Sequence, residues 1–164
     1  MKLASGISPV PRLLDQGITV GLGTDGCASN NNLDLFEEMD TTAKVHKVAA
    51  MDPTVLDAWT VLNMATFSGA KALGMEDRIG SLEVGKKADV IVVDTHKPHL
   101  TPMYNPYSHL VYAAKGNDVS HCVVNGMLVM QDRKLLTLEL QAVLHKAKEM
   151  SQKVLSWLSW PLPS

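Results

Sequence analysis

The residues best suited to chemistry lie in one short stretch, Gly21-Leu22-Gly23-Thr24-Asp25-Gly26. This stretch completes a mostly apolar run at residues 18–23, which predicts a short strand covered on both faces, as in a parallel sheet. Catalytic groups of α/β barrels lie at the C-terminal ends of such strands. The sequence therefore predicts Asp25 as a ligand for a hard or borderline cation. A competing interpretation is that Asp25 caps the following loop through Thr24 and Ser29.

The same stretch also matches the G-x-G-x-x-G pattern of dinucleotide-binding loops. That pattern requires a helix that begins at once, so that its free amides meet the pyrophosphate. Here residues 27–32 intervene, and the Asp25 carboxylate would repel a pyrophosphate unless a metal lay between them. No further alternation of strands and helices follows. Nucleotide binding through Gly21–Gly26 is therefore the less favoured hypothesis.

The histidines of the chain do not supply further ligands that spacing can connect with Asp25. His46 is predicted to be a solvated or half-buried side chain in the middle of a helix. His96 and His99 lie in a proline-rich loop, where a turn is a simpler explanation than a metal pair. His109 is expected to make a structural hydrogen bond. His121 is predicted to lie in a strand, and His145 on the last helix.

The elements before residue 78 are predicted to be mainly helical. A short helix over residues 9–17 ends at Gly17, and the strand at residues 18–23 follows. A second helix covers about residues 33–50 on an apolar periodicity. Residues 52–54 restart a helix, because Thr54 and Asp57 match a capping box. Gly74 is predicted to end it.

The residues after Gly80 are predicted to be rich in β-structure. A β-branched strand at residues 89–94 is followed by a proline-punctuated loop at 96–106. Two strands, 119–125 and 127–131, are joined around Asn125-Gly126, a strong hairpin signal. A helix over 138–158 closes the chain. Its predicted buried side comprises Leu140, Val143, Leu144, Ala147, Val154 and Leu158.

Composition limits the class of protein. The chain has 164 residues, 46% of them hydrophobic and 20% charged, which is typical of a globular domain. A formal net charge of −2 without a run of Lys or Arg gives no support for binding nucleic acid or anionic membranes. No apolar stretch approaches the about 18 residues of a membrane span, and no secretory signal is predicted. The two cysteines form no C-x-x-C pair, so a reduced, cytoplasmic setting is expected.

Several stretches together resemble the C-terminal part of the amidohydrolase superfamily. The chain is most similar to the branch of 5-methylthioadenosine/S-adenosylhomocysteine deaminases and triazine chlorohydrolases, and the match runs across nearly its whole length. The stretch that is most specific for the superfamily is Gly80-Ser81-Leu82-Glu83-Val84-Gly85-Lys86-Lys87-Ala88-Asp89. The others are Leu3-Ala4-Ser5-Gly6, Pro9-Val10, Gly23-Thr24-Asp25-Gly26, Ser29-Asn30-Asn31, Asp34-Leu35, Ala65-Thr66, Gly69-Ala70-Lys71-Ala72-Leu73-Gly74 and Asn125-Gly126.

The resemblance implies an eight-stranded barrel with one divalent metal, usually zinc and in some members iron, that activates a water. Its ligands are an H-x-H pair after the first strand, a His after the fifth and an Asp after the eighth. Only the Asp corresponds to a residue of this chain, Asp25, which would bind the metal and take the proton of the water. Ser29 and Asn30 would lie close to the substrate.

The resemblance also implies a division of the chain. Residues 1–78 would form the last βα units of a (β/α)8 barrel, 79–136 the C-terminal strands of a small composite β-sandwich, and 137–164 a C-terminal helix and tail. The opening residues 1–5 resemble the middle of a βα loop of the family. The isolated chain is therefore expected to lack most of the catalytic site and to expose apolar surface, or to associate through it, and a homo-oligomer is expected.

The function implied is hydrolytic deamination of an adenine-type nucleoside, 5-methylthioadenosine or S-adenosylhomocysteine. Guanine, other purines or pterins, cytosine and chlorinated triazines are competing substrates within the class. The alternative is a non-catalytic, truncated homologue that serves as an assembly or binding module.

Overall fold

The computed structural model describes residues 3–158 and contains helices and one antiparallel sheet in that part. The helices are α1 (Val10–Asp15), α2 (Leu35–Ala50), α3 (Ala58–Ala65), α4 (Phe67–Ala72), α5 (Pro106–Tyr112) and α6 (Leu140–Leu158). The strands are β1 (Val90–Val93), β2 (Val119–Val124), β3 (Met127–Gln131) and β4 (Lys134–Leu135). None of the helices in this part is long and apolar enough to cross a membrane. The mixed helix and sheet content fits a fragment of an α/β protein.

Helices α1 and α2 confirm the predictions for residues 9–17 and 33–50. Gly17 follows α1 with φ 73°, in the left-handed region that glycine adopts without strain. The carboxylate of Asp34 begins α2 by accepting a hydrogen bond from Phe36 N at 2.9 Å. At the other end Met51 adopts φ 52° and stops the helix.

The predicted helix start at residues 52–54 is wrong. Asp52 Oδ1 accepts bonds from the backbone N–H and the hydroxyl of Thr54, which closes a local turn instead of a helix. The helix α3 begins after Asp57, whose carboxylate caps it by accepting from Thr60 N at 2.9 Å. Lys47 Nζ stabilises the intervening loop by donating to the carbonyl oxygens of Val55 and Leu56.

The predicted strand at residues 18–23 is also not formed in this chain. A strand requires a neighbour to pair with, and the described residues offer none at this position. Leu22 N instead donates to the carbonyl oxygen of Met64, at the end of α3, at 3.1 Å. Val20 and Leu22 still pack against the core, so the segment lies where the apolar pattern predicts but without strand pairing.

The sheet is a simple meander in the order β1-β2-β3-β4, with every neighbouring pair antiparallel. Asn125 and Gly126 have φ 50° and 80°, the pair of positive values that a type I′ hairpin turn requires. The predicted strand at β1 and the predicted hairpin of β2 and β3 are therefore confirmed. The short β4 was not predicted, because its turn uses Asp132 and Arg133 at positive φ and contains no glycine.

The core lies among helices α2, α3 and α5, and Val10 of α1 and Val119 of β2 also enter it. Helix α5 was not predicted, because its first residue, Pro106, was assigned to a loop; Asn105 caps it by accepting from Ser108 N at 3.1 Å. The structural hydrogen bond expected of His109 is confirmed: its ring nitrogens contact Asn105 O at 2.9 Å and Pro102 O at 3.1 Å. The buried core comprises Val10, Phe36, Met39, Ala43, Leu56, Val61, Met64, Leu100, Val111, Ala114 and Val119.

Two burial predictions are wrong. His46 is not solvated or half-buried but buried in α2, where desolvation lowers the pKa of its ring. Helix α6 forms nearly as predicted, yet Leu140, Val143, Leu144 and Val154 of its apolar side are 45–49% exposed. Ala147 is exposed as well, and the side chain of Leu158 lies outside the described residues. Among the side chains that the structure describes, none of α6 therefore belongs to the core.

A short 3-10 turn at Gly116–Asp118 connects the sheet with the helices. Gly116 N donates to Asp34 Oδ2 at 2.8 Å, so a single carboxylate both caps α2 and holds this turn. Oδ1 of the buried Asp118 accepts from Lys97 Nζ at 2.8 Å, and Oδ2 accepts from Lys115 N at 2.8 Å and lies 3.0 Å from His99 Nε2. The proposed division at residue 78 remains a prediction, while the contacts show that the two sides share one core.

The double role of Asp34 leads to a stability prediction. Asp34→Ala removes a helix cap and leaves the Gly116 N–H without its partner, so the free energy of unfolding is expected to fall by about 2 kcal/mol. Asp57→Ala removes a cap alone and is expected to cost about 1 kcal/mol. Urea unfolding of both variants, in the protein expressed from its complete gene, checks this. Equal losses would show that the contact with Gly116 contributes nothing.

Asp118 leads to a prediction about pH. Burial raises the pKa of Asp118, but hydrogen bonds from the side chains of His99 and Lys97 and from Lys115 N outweigh it and lower the pKa to about 2. Because this pKa is lower in the folded than in the unfolded chain, the stabilisation is complete above about pH 5 and is lost as the pH falls toward 2. Asp118→Asn is expected to cost about 2 kcal/mol at neutral pH.

The measurement is the difference in unfolding free energy between wild type and Asp118→Asn, taken at intervals from pH 7 to pH 2.5. The difference is expected to shrink below about pH 4. A difference that stays constant over this range would contradict the assignment of the low pKa to Asp118.

Candidate functional site

Asp25 lies at the edge of a cavity between the loop that follows residue 23 and the first two turns of α2. The cavity has a volume of about 380 Å³. Asp25 is exposed, and Thr24, Ser29 and Asn30 beside it are half-buried. Three groups of residues line the cavity: residues 3–6, residues 23–32 in part, and Glu37, Glu38 and Thr41 of α2. The structure therefore brings Asp25, Ser29 and Asn30, the three predicted site residues, to one cavity.

The carboxylate of Asp25 is available for a ligand. Within residues 3–158 no group donates a hydrogen bond to it, and Thr24 Oγ1 donates instead to the backbone oxygen of Asp25 at 3.3 Å. The loop is closed by backbone bonds, from Ser29 N and Asn30 N to Gly26 O at 3.0 and 2.8 Å. These contacts do not support the competing interpretation that Asp25 caps the loop through Thr24 and Ser29.

The backbone of Asp25 is in the left-handed region, with φ 61°. Non-glycine residues enter this region at a cost, and Asp and Asn do so more readily than most. Surrounding contacts must therefore hold the residue in place. The conformation places an exposed carboxylate at the cavity, where a ligand can approach it.

Two asparagine–glutamate pairs connect the loop to α2. Asn30 Nδ2 donates to Glu38 Oε1 at 2.6 Å and to the carbonyl oxygen of Thr24 at 3.1 Å. Asn32 Nδ2 donates to Glu37 Oε2, and Asn32 Oδ1 accepts from Asp34 N at 3.2 Å. The sequence prediction missed both glutamates, although the first turn of a helix that follows a functional loop is a position where such partners can be sought.

Of the glycines in this stretch, Gly21 is required for packing. A Cβ on Gly21 would lie 2.9 Å from Gly69 Cα in α4, so only glycine fits at this approach of two backbones. A Cβ on Gly23 would have no atom within 4 Å apart from those of its chain neighbours. The helix α2 begins at Leu35, well after Gly26, so the free helix amides that a dinucleotide fingerprint requires are not at this loop.

The described part of the chain holds no group of three or more His, Cys, Asp or Glu side chains that could bind a metal ion on its own. His99 binds Asp118, and His96 Nδ1 lies 3.5 Å from Asp94 Oδ1, so these two histidines do not form a metal pair. His121 lies in β2 and His145 on α6, as predicted. The described residues alone therefore form no complete metal site.

Comparison with protein families gives the decisive observation. The model of the amidohydrolase family matches residues 1–129. The chain belongs to the amidohydrolase family. This membership agrees with the resemblance of its sequence stretches to that superfamily.

The curated relatives of this amidohydrolase chain include nucleoside deaminases. A 5-methylthioadenosine/S-adenosylhomocysteine deaminase of Syntrophobacter fumaroxidans is 62% identical over 154 residues, which are 94% of this chain and 35% of the relative. A 5'-deoxyadenosine deaminase of Methanosarcina barkeri is 56% identical over 95% of this chain and 36% of its own length. The chain thus spans about a third of the length of these relatives.

Solved structures of the family superpose closely on the chain. An adenosine deaminase of Xanthomonas campestris, crystallised with bound zinc, matches with a TM-score of 0.92 and 41% identity over 94% of this chain and 35% of its own. A triazine hydrolase variant matches with a TM-score of 0.80 and 31% identity, over 90% of this chain and 32% of its own. The conformation of this chain is therefore that of the corresponding part of an amidohydrolase.

The packing of Gly21 against Gly69 leads to a prediction. Gly21→Ala forces two backbones apart and is expected to lower the free energy of unfolding by about 1–3 kcal/mol. Gly23→Ala is the matched control, since its Cβ would meet open space; a change within about 0.5 kcal/mol is expected. Urea unfolding of both variants checks the contrast. If Gly23→Ala were the more damaging change, the packing explanation of this stretch would be wrong.

Proposed function

We propose that the chain is the C-terminal part of a metal-dependent deaminase that hydrolyses an adenine-type nucleoside, 5-methylthioadenosine or S-adenosylhomocysteine. The observation that carries the proposal is the exposed carboxylate of Asp25 at a cavity, to which no group of residues 3–158 donates a hydrogen bond, in a chain that is 62% identical to such a deaminase. In this proposal the residues of the chain supply one side of the active site.

The donor set at the cavity fits one position of a divalent metal site. A carboxylate that accepts no hydrogen bond from its surroundings keeps its lone pairs for a cation such as Zn²⁺. When bound, the ion would lower the pKa of a water molecule and so supply a nucleophile at neutral pH. Zinc is supported by its presence in the Xanthomonas campestris deaminase, and iron is the alternative. The remaining ligands would come from the part of the protein that this chain does not span.

Asp25 would also act as the proton acceptor of the reaction. Its carboxylate faces the cavity, within which it can take a proton from the attacking water. The water oxygen would add to C6 of the purine ring, the proton would pass to the amino group, and ammonia would leave. Ser29 and Asn30 line the same cavity and would lie near the substrate.

In the longer protein, residues 18–23 would pair as the last strand of a (β/α)8 barrel, and the meander of β1 to β4 would form part of a composite β-sandwich. This proposal is supported by the apolar residues Val20 and Leu22, which pack against the core and have no strand partner within residues 3–158. The half-exposed apolar side of α6 would be covered by the rest of the chain or by a second subunit of a homo-oligomer in the cytoplasm.

The substrate class follows from what the relatives have in common. Their names specify 5-methylthioadenosine, S-adenosylhomocysteine and 5'-deoxyadenosine. All three are adenosines in which the 5'-hydroxyl group is absent or replaced by a thioether. A small-molecule nucleoside of this kind is therefore the proposed substrate.

The test uses the protein expressed from its complete gene and measures ammonia release from the three nucleosides named above. Asp25→Ala is expected to lower kcat/KM at least about a hundredfold and to remove bound metal. Asp77→Ala, at an exposed aspartate in a surface turn, serves as the control. The isolated 164-residue chain is expected to release no ammonia.

Two results would contradict the proposal. Retention of full activity by Asp25→Ala would exclude this carboxylate from the reaction. Release of chloride from a chlorinated triazine, without ammonia release from any adenosine, would assign the protein to the chlorohydrolases instead.

A further inference from the structure

We propose that Asn30 and Glu38 are positioning residues, which hold the loop of Asp25 in the conformation that binds the metal. The inference rests on the proposed role of Asp25 as a metal ligand. It gives Asn30 a role other than contact with the substrate, because the side chain of Asn30 makes hydrogen bonds to other residues of the protein.

Both amide hydrogens of Asn30 are used inside the protein. Nδ2 carries two N–H groups, one of which faces Thr24 O at 3.1 Å and the other Glu38 Oε1 at 2.6 Å. The backbone N–H of Asn30 is also engaged, with Gly26 O at 2.8 Å. Asn30 therefore has no N–H left to donate to a substrate, and its contacts connect two parts of the site.

The contact with Thr24 O acts directly on the backbone of Asp25. The carbonyl of Thr24 and the N–H of Asp25 belong to one planar peptide group, so a bond to that oxygen fixes the plane from which Asp25 extends. The φ of 61° at Asp25 lies in a region that costs energy for a residue with a side chain. Without this bond the loop could relax to a lower-energy conformation, and the carboxylate would move away from its place at the cavity.

Glu38 supplies a rigid anchor for Asn30. It lies in the first turn of α2, beside the buried Met39, and the helix is fixed by the cap at Asp34. An ionised acceptor makes the short bond from Asn30 stronger than one between neutral groups. Asn30 thus holds the peptide group before Asp25 at a fixed position relative to α2.

The second pair, Asn32 and Glu37, provides a matched control. It contains the same two residue types and also joins the loop to α2. Its contacts run to Asp34 N and not to Thr24 O, so its loss leaves the peptide group before Asp25 in place.

The experiment measures the affinity of the apoprotein for Zn²⁺ by competition with a chelator, in the protein expressed from its complete gene. Asn30→Ala and Glu38→Ala are each expected to weaken zinc binding about tenfold to a hundredfold. Glu38→Gln keeps an oxygen acceptor for Asn30 and is expected to restore most of the affinity. Asn32→Ala and Glu37→Ala are expected to stay within about threefold of wild type, since they act outside this contact.

Each result discriminates. Wild-type zinc affinity in Asn30→Ala and Glu38→Ala, with loss of zinc in Asp25→Ala, would overturn the positioning role and leave the proposed function standing. Retention of zinc by Asp25→Ala would overturn the proposed function itself. Equal weakening by Glu38→Gln and Glu38→Ala would show that the charge of Glu38 matters and not its bond with Asn30. Thermal unfolding of every variant separates these results from loss of fold, and if Asn30→Ala does not fold, the two Glu38 variants decide.

Discussion

The carboxylate of Asp34 connects the helical part of the chain to the sheet. One oxygen accepts from Phe36 N and begins α2; the other accepts from Gly116 N, 82 residues further along the chain. A Cβ on Gly116 would lie 2.9 Å from the nearer carboxylate oxygen, so this contact requires glycine at its other end. The Gly116–Asp118 turn in its own right binds Lys97, His99 and Arg133. A small number of polar contacts therefore sets the orientation of α2, the sheet and the loop of Asp25. The geometry of these contacts can change little.

Asp34 also affects the candidate site, because it caps α2 and α2 binds the loop of Asp25. Helix α2 presents Glu37 and Glu38 in its first turn, and each accepts a bond from an asparagine of the preceding loop. The loop cannot rely on regular secondary structure, because residues 18–23 have no strand partner in the described part of the chain. Side-chain hydrogen bonds to α2 therefore fix the loop, as strand pairing would in a complete sheet.

The sequence predicts those features that depend on near neighbours. The turn at Asn125-Gly126 and the strand β1 follow from local residue preferences, and both are confirmed. Gly74, with φ 64°, follows the end of α4, but the single helix predicted to end there is divided into α3 and α4 at Thr66. The features that were wrong depend on distant residues. Asp57, not the apparent capping box at Thr54, begins α3, because Lys47 holds the intervening loop from another helix. The burial of His46 and the exposure of α6 depend on which surfaces meet, and periodicity alone does not specify that.

At the candidate site, too, some features could be predicted from the sequence and others depend on distant residues. Residue type and position identified Asp25, and the resemblance to the family added Ser29 and Asn30; the structure brings all three to one cavity. The difference between these aspartates could not be predicted, since it depends on which groups of the folded chain donate hydrogen bonds to each carboxylate. Asp34, Asp57 and Asp118 each accept bonds from the protein and act as structural acceptors. The Asp25 carboxylate accepts none within residues 3–158, and its position is set through its backbone. A carboxylate held in this way keeps its oxygen atoms for a ligand, because the protein satisfies the geometry of the residue without using its side chain.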